Sequence, residues 1–184
     1  MEVLEKTMKI LDVGCGIHKI KNADGIDFVD IPGLRYKHDL NVFPYPIKKD
    51  SYDFIYCSHT MEHLEDIQKV LLEFKRILKS HGKVLIKVPY ISSHFAFQDP
   101  THKHFFTYFT FDYFASNPAK HLELWYTLKL FKIKSKKLNF AKSGIRKLWN
   151  PFIERFANSF PIHYENLLRY IFPATELEIL FEKP

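Results

Sequence analysis

The spacing of hydrophobic positions changes along this chain. Lys9 to Val13 is a short apolar run that ends at Gly14-Cys15-Gly16, and it reads as a buried strand entering a tight turn. Ala23 to Phe28 is a second short run and Tyr36 to Leu40 a third, before Pro44 and Pro46 break the chain. Tyr52 to Cys57 is rich in aromatic and β-branched residues and predicts a strand. The period then lengthens. Leu64, Ile67, Leu71, Phe74 and Leu78 recur at three- and four-residue steps, which predicts an amphipathic helix over Met61 to Leu78. Gly82 suits the turn after a helix. Lys83 to Val88 is the next strand and Pro89 stops it.

Past residue 105 the pattern thins. Phe111 to Ala115 and Asn150 to Tyr170 read as helical. Leu122 to Leu138 reads as extended, with apolar and basic residues alternating in Phe131-Lys132-Ile133-Lys134. Glu176 to Phe181 alternates and predicts a final strand. No repeat or linker divides the 184 residues, so one domain is expected, with a core at 9–90 and a lid and edge-strand region at 91–184.

Strand, turn, strand, helix, strand in this order predicts βαβ units and a mostly parallel sheet. Ligands in such sheets bind outside the carboxyl ends of the strands. That directs attention to Gly14 to Lys19, Asp27 to Asp30, Asp39 to Asn41, Ser58 to His63 and Tyr90 to His104.

Composition narrows the setting. Hydrophobic residues at 46% and charged residues at 26% are an ordinary globular balance, while 16% aromatic residues can fill a core or line an apolar pocket. Cys15 and Cys57 are too few for a disulfide framework and form no Cys-x-x-Cys pair. Met1 to Lys9 carries Glu2 and Glu5 and lacks the apolar core of a signal peptide. No run reaches the roughly 18 apolar residues of a membrane span. A cytoplasmic protein in a reducing environment is expected.

The turn after the first strand carries the chemistry. Two glycines one residue apart let the backbone turn sharply and approach a ligand. Asp12 at the strand end can accept from an amide or ammonium, and Asp27, in Gly25-Ile26-Asp27, stands where a nucleotide fold places its ribose-binding acid. The third glycine of Gly-x-Gly-x-x-Gly is replaced by Lys19, which argues against a pyrophosphate-binding NAD site. The interval from Gly14 to Asp27 is short, so the first helix must be stunted or replaced by a loop.

Leu11-Asp12-Val13-Gly14-Cys15-Gly16 resembles the first motif of class I S-adenosylmethionine-dependent methyltransferases. Tyr52 to Leu64 resembles that family's fourth strand and following helix, and Phe74 to Ile86 its next helix, turn and fifth strand. The resemblance implies a Rossmann-like α/β fold: a doubly wound, seven-stranded, mostly parallel sheet with an antiparallel C-terminal edge hairpin from Leu122 to Leu138 and Glu176 to Phe181, and helical lid insertions. It implies S-adenosylmethionine as cofactor and S-adenosylhomocysteine as product. Asp12, Gly14 and Gly16 would hold the methionine part, with Cys15 in the same turn. Asp27 would bind the ribose, Asp39 and Leu40 would sit beside the adenine, and Ser58 and His59 would flank the methionine end. The Asn/Asp-Pro-Pro-Tyr motif of enzymes acting on exocyclic amines is absent, since Ser58-His59-Thr60-Met61 stands there.

Histidines supply the other candidates. His94, His102 and His104 lie with Asp99 in the run that should overhang the pocket, and a neutral imidazole there can take a proton from an acceptor. The plain alternative is a loop held by Asp99 and Thr101 around Pro100. The expected bases are His102, His104 and His94, with His59 next. His59, Glu62 and His63 also match the His-x-x-Glu-His pattern of inverted zinc peptidases. Glu62 and His63 can equally cap a helix start and line the pocket, and no metal site is assigned from the sequence.

The net charge of +6 is concentrated between Lys129 and Lys147, a stretch without an acidic residue. A lysine-protected edge strand is the favoured reading, with a peripheral contact to an anionic membrane or nucleic acid as the functional one. Three function classes therefore stand. The first is a methyltransferase acting on O or N of a small-molecule, glycan or lipid-linked acceptor. The second is a zinc hydrolase using His59, Glu62 and His63, and the third a catalytically idle cofactor-binding module.

Overall fold

The computed structural model describes residues 8–120, 122, 127–142 and 144–184. Seven strands form one sheet: β1 Ile10–Val13, β2 Asp24–Asp27, β3 Tyr36–Lys37, β4 Tyr52–Ser58, β5 Leu78–Pro89, β6 Lys132–Asn139 and β7 Glu176–Glu182. Their order is β3-β2-β1-β4-β5-β7-β6. The first five run parallel, while β7 pairs antiparallel with both β5 and β6. The chain goes from β1 out to β2 and β3, then returns to the other side of β1 for β4 and β5. That reversal opens a crevice beyond the carboxyl ends of β1 and β4, the expected place for a ligand.

Pleating sets the core. Leu11, Val13, Ile55, Cys57, Val84, Ile86, Ile179 and Phe181 share one sheet face and are all 0% exposed. Phe54, Tyr56, Leu85 and Leu180 alternate onto the other face and are half-buried. Part of the aromatic content is core: Phe106 stacks on Phe111 and Phe131 on Phe181, each pair 5.2 Å between ring centroids.

The helical stretch expected from Met61 to Leu78 divides in two. Met61–His63 is a separate 3-10 turn, Leu64 is extended, and helix α1 runs Ile67–Ile77. Asp66 starts α1 because its carboxylate accepts the Lys69 N–H at 3.0 Å. Val70, Leu71, Phe74 and Ile77 are buried along its inner face. α1 runs straight into β5, so Gly82 lies inside a strand rather than after a helix. A Cβ at Gly82 would stand 2.9 Å from the Lys79 carbonyl oxygen, which explains the glycine at this irregularity.

The first helix is stunted, as the short interval from Gly14 to Asp27 predicts, to one 3-10 turn, Gly16–His18. The third strand is two residues long rather than reaching Leu40. The edge hairpin forms from β6 and β7, with β6 starting at Lys132; residues 123–126 of the predicted extended segment lie outside the described residues. The lid is helix α2 Phe95–Gln98, a 3-10 turn at Thr110–Phe114, helix α3 Asn150–Ser159 and helix α4 Pro161–His163, which continues as a π turn over Tyr164–Leu168. Pro161 accounts for the break in the predicted Asn150 to Tyr170 helix, since it has no N–H to donate back.

Lysines of β6 pair within the chain: Lys134 with Glu182 at 3.5 Å, Lys137 with Glu154 at 3.4 Å and Lys136 with Asp112 at 2.5 Å. The last pair is buried, with side chains 9% and 1% exposed, and ties the 110–114 turn to the edge strand. Burial lowers the Lys136 pKa, while Asp112 opposes the shift. This pattern matches the edge-strand reading of the basic stretch.

Candidate active site

Two clefts lie along the carboxyl ends of the strands. The first, of about 660 Å³, is lined by Gly14, Asp27, Phe28, Asp39 and Leu40 on one side and by His59, Thr60, His63, Pro100 and Lys103 on the other. The second, of about 860 Å³, is lined by Glu62, Phe95, Asp99, His102, Asn139 and Glu176, among others. His59, His63 and Pro100 belong to both walls, so the clefts meet there.

The first cleft is shaped by backbone and carboxylates. Gly14 has φ +65°, and a Cβ on it would lie 2.2 Å from Thr60 Oγ1. The turn after β1 therefore closes against Thr60 only because residue 14 is glycine. Gly16 has φ +47° and open space where a Cβ would be. Its N–H donates to Asp27 Oδ2 at 2.9 Å, and Val29 N–H donates to Asp27 Oδ1 at 3.0 Å. Those bonds fix the Asp27 carboxylate at the rim while leaving further lone pairs for a hydroxyl donor. Asp39 Oδ1 is held by the Asn41 N–H at 2.9 Å. Phe28 is 70% exposed on the same wall, an apolar ring with room for a flat partner.

Several expected contacts take a different part. Asp12, Cys15, Gly16 and Ser58 line neither cleft. Asp12 accepts the Ile20 N–H at 2.7 Å and so folds the glycine turn back onto the strand. Its burial raises its pKa. Cys15 turns inward, its Sγ 2.8 Å from where a Gly25 Cβ would stand. Burial first, then Asp12 and Asp27, push its thiol up to about 11. It stays protonated and unreactive at neutral pH.

The histidines separate into distinct roles. His59 has φ +51° and stands in the wall between the clefts. Its Nε2 lies 3.0 Å from Glu176 Oε2 and its Nδ1 3.6 Å from Glu62 Oε1. Glu176 first and Glu62 second raise its pKa to about 9, so it is an imidazolium at neutral pH. His102 donates from Nδ1 to the Ala96 carbonyl at 2.9 Å. A carbonyl only accepts, so the neutral ring carries its lone pair on Nε2, and His102 lines the second cleft. His104 and His94 line neither cleft. His104 donates from Nε2 to the Leu64 carbonyl at 2.9 Å and pins the loop. His94 precedes α2 and packs on Phe95, with ring centroids 4.0 Å apart.

Thr60, Asn41 and Lys103 in the first cleft, and Asn139 and Glu176 in the second, were not among the site residues expected from sequence, whereas His63 was expected as a pocket-lining residue. His63, Asn41 and Lys103 fall in or beside segments after strands, so that signal was present. Nothing local marks Glu176, which reaches the site because β7 inserts beside β5.

Residues 1–116 match the methyltransferase domain family. The chain is 30% identical to the uncharacterized protein YmfD of Escherichia coli K12, over 57% of this chain and 61% of that one. It thus spans about 61% of the length of that curated relative. A methyltransferase of Archaeoglobus fulgidus, described as SAM-dependent, superposes with a TM-score of 0.56 at 19% identity, covering 96% of this chain and 86% of that one. One from Mesorhizobium loti, described as S-adenosylmethionine-dependent, gives 0.52 at 14% identity, covering 96% and 91%. No helix among the described residues is long and apolar enough to cross a membrane. The chain belongs to the methyltransferase domain family and has the fold of the S-adenosylmethionine-dependent methyltransferases.

Proposed function

We propose that the chain transfers a methyl group from S-adenosylmethionine to an oxygen or nitrogen of a small-molecule, glycan or lipid-linked acceptor. The observation that carries this reading is the pair of clefts meeting at His59, His63 and Pro100. A donor and an acceptor bound in separate clefts need such a junction for their reacting atoms to come in line.

The cofactor supplies an electrophilic methyl on a sulfonium. Asp27 would hold its ribose hydroxyls, Asp39 and Leu40 its adenine, and the Gly14 turn its methionine end. The protein's own contribution is alignment and the exclusion of water. In the second cleft, His102 presents the Nε2 lone pair that can take the acceptor's proton. His59, held charged by two carboxylates, donates and orients rather than abstracting a proton. The cleft sets polar residues, Glu62, Asp99, Asn139 and Glu176, among apolar ones, Pro89, Phe95 and Pro100, which suits an acceptor that carries a hydroxyl or amino group on an apolar frame.

Calorimetric titration of the purified chain with S-adenosylhomocysteine tests the first half of this reading. Micromolar binding that Asp27→Ala weakens is expected. Absence of binding by folded protein would overturn it. Transfer of radiolabelled methyl to a panel of glycans and hydroxylated or aminated small molecules tests the second half.

A further inference from the structure

Glu62 is an unusual residue for the inside of a protein. It is 1% exposed, and neither of its carboxylate oxygens has a hydrogen-bond partner among the described residues. The nearest cationic atom is His59 Nδ1 at 3.6 Å, too far for a hydrogen bond. A buried carboxylate without a partner costs free energy, and a missing ion is one of the ordinary explanations. The carboxylate lines the second cleft, where His63 and His102 stand beside it. One ligand atom from each of Glu62, His63 and His102 lies within 4.8 Å of the other two.

The tautomers of both histidines follow from their partners. Thr101 Oγ1 donates its proton to Asp99 Oδ1 at 2.7 Å. Facing His63 Nδ1 at 2.8 Å, it can then only accept, so Nδ1 carries the proton and Nε2 the lone pair. His102 Nδ1 donates to the Ala96 carbonyl, which leaves its Nε2 lone pair unused as well. Two imidazoles whose outer nitrogens are each fixed by an oxygen acceptor, next to a buried carboxylate without a hydrogen bond, have the outer-sphere arrangement of metal-binding histidines. The loop carrying His102 is latched to Glu62 itself, because the Lys103 and His104 N–H groups donate to the Glu62 carbonyl at 2.7 and 3.3 Å. The three donors therefore come from two segments that are held together without an ion.

We propose that Glu62, His63 and His102 form a binding site for a first-row divalent metal ion in the second cleft. Two imidazoles and one carboxylate suit Mn²⁺, Fe²⁺, Co²⁺ or Zn²⁺ better than Mg²⁺ or Ca²⁺, which prefer oxygen ligands. Ligands about 2.1 Å from one ion are roughly 3 Å apart, so small rotations must draw the donors inward. Three protein ligands leave positions open toward the cleft. This set differs from His59, Glu62 and His63, the triple suggested by the sequence pattern, because His59 is engaged by Glu176 and His102 takes its place. Binding of the ion is independent of the proposed methyl transfer. Its use there rests on that reading: an acceptor hydroxyl on the ion loses its proton more readily, the proton passes to water in the open cleft, and His102 then serves as ligand instead of base.

The test is titration of the chelator-treated full chain with Mn²⁺ and Zn²⁺, followed by calorimetry, with Mn²⁺ also read by electron paramagnetic resonance. One ion per chain is expected, with affinity reduced at least tenfold in both Glu62→Gln and His102→Ala and unchanged in His163→Ala, a histidine outside the cleft. Circular dichroism checks that each variant folds. His102→Ala, in a half-buried loop, keeps the test decisive if Glu62→Gln does not fold. Less than one ion per chain, or affinity unaffected by His102→Ala, would overturn the proposal. A parallel titration with S-adenosylhomocysteine keeps the two readings apart: cofactor binding without metal binding removes only the ion, and metal binding without cofactor binding removes only the methyl transfer.

Discussion

The two clefts are built from different materials. The first is made where β1, β2 and the loop after β3 end, and its key atoms are backbone N–H groups, a glycine without a Cβ, and carboxylates held by neighbouring amides. The second is made of side chains from five separated parts of the chain: the segment from His59 through the 3-10 turn at Met61–His63, the end of β5, the loop around α2, the end of β6 and the start of β7. The sheet side of the first cleft is as stable as the sheet that carries it, while its other side, with His63, Pro100 and Lys103, belongs to the same loops as the second. A cleft of the second kind depends on every segment docking. The difference suggests that one suits a ligand common to many proteins of this fold, while the other can vary with the acceptor.

Five substitutions would break or sharpen that contrast. The largest effect is expected from Asp112→Ala, which strands Lys136 in the interior and should cost about 3–5 kcal/mol. For a chain of this size that is a fall in Tm of roughly 10 °C, read by thermal melting. The damage should reach the second cleft first, through the lid and edge strand, so turnover should fall further than cofactor affinity. Gly14→Val combines a positive φ with a Cβ driven into Thr60. About 2–4 kcal/mol of strain is expected, with loss of cofactor binding in calorimetry, and retention of wild-type affinity would show that the turn does not form the first cleft.

Third in size is His102→Ala. Turnover should drop about hundredfold or more while affinity for S-adenosylhomocysteine stays the same, which single-turnover kinetics beside calorimetry can separate. Asp27→Ala should do the reverse and weaken cofactor affinity about tenfold, since two amides lose their acceptor and the ribose its carboxylate. The smallest effect belongs to His94→Ala. With His94 outside both clefts, steady-state rates should stay within about twofold of wild type; a large loss would mean that the α2 loop moves during turnover and brings His94 in.

Local pattern made the parallel strands legible as far as β5, and the alternation from Glu176 to Phe181 made β7 legible as well. The runs at Lys9 to Val13, Tyr52 to Cys57 and Lys83 to Val88 all lie in strands, because short apolar segments between turn residues have few other ways to bury themselves. The helix start was placed too early. Apolar spacing extends back to Leu64, but spacing alone does not show that the backbone leaves the helix before Asp66 caps it. On the site, Gly14, Asp27, Asp39 and Leu40, positions named through the family resemblance, line the first cleft. Among the four candidate histidines, the sequence set His102, His104 and His94 ahead of His59 but showed no partner for any of them. Hydrogen-bond partners separate them: a carbonyl on His104 Nε2, one on His102 Nδ1, and two carboxylates on His59.

The sequence by itself determined the parallel βαβ core and the glycine turn that closes on it, because both depend on neighbours a few residues apart: period, chain reversal and the missing Cβ at residue 14. Only the tertiary structure decided how the second cleft is assembled. Glu176 meets His59 across 117 residues of chain, and His63 meets Thr101 across 38. No local preference encodes those contacts. They exist because β7 slots between β5 and β6 and because the Glu62 carbonyl holds the loop that carries His102, so the chemistry of that cleft follows from packing rather than from any motif.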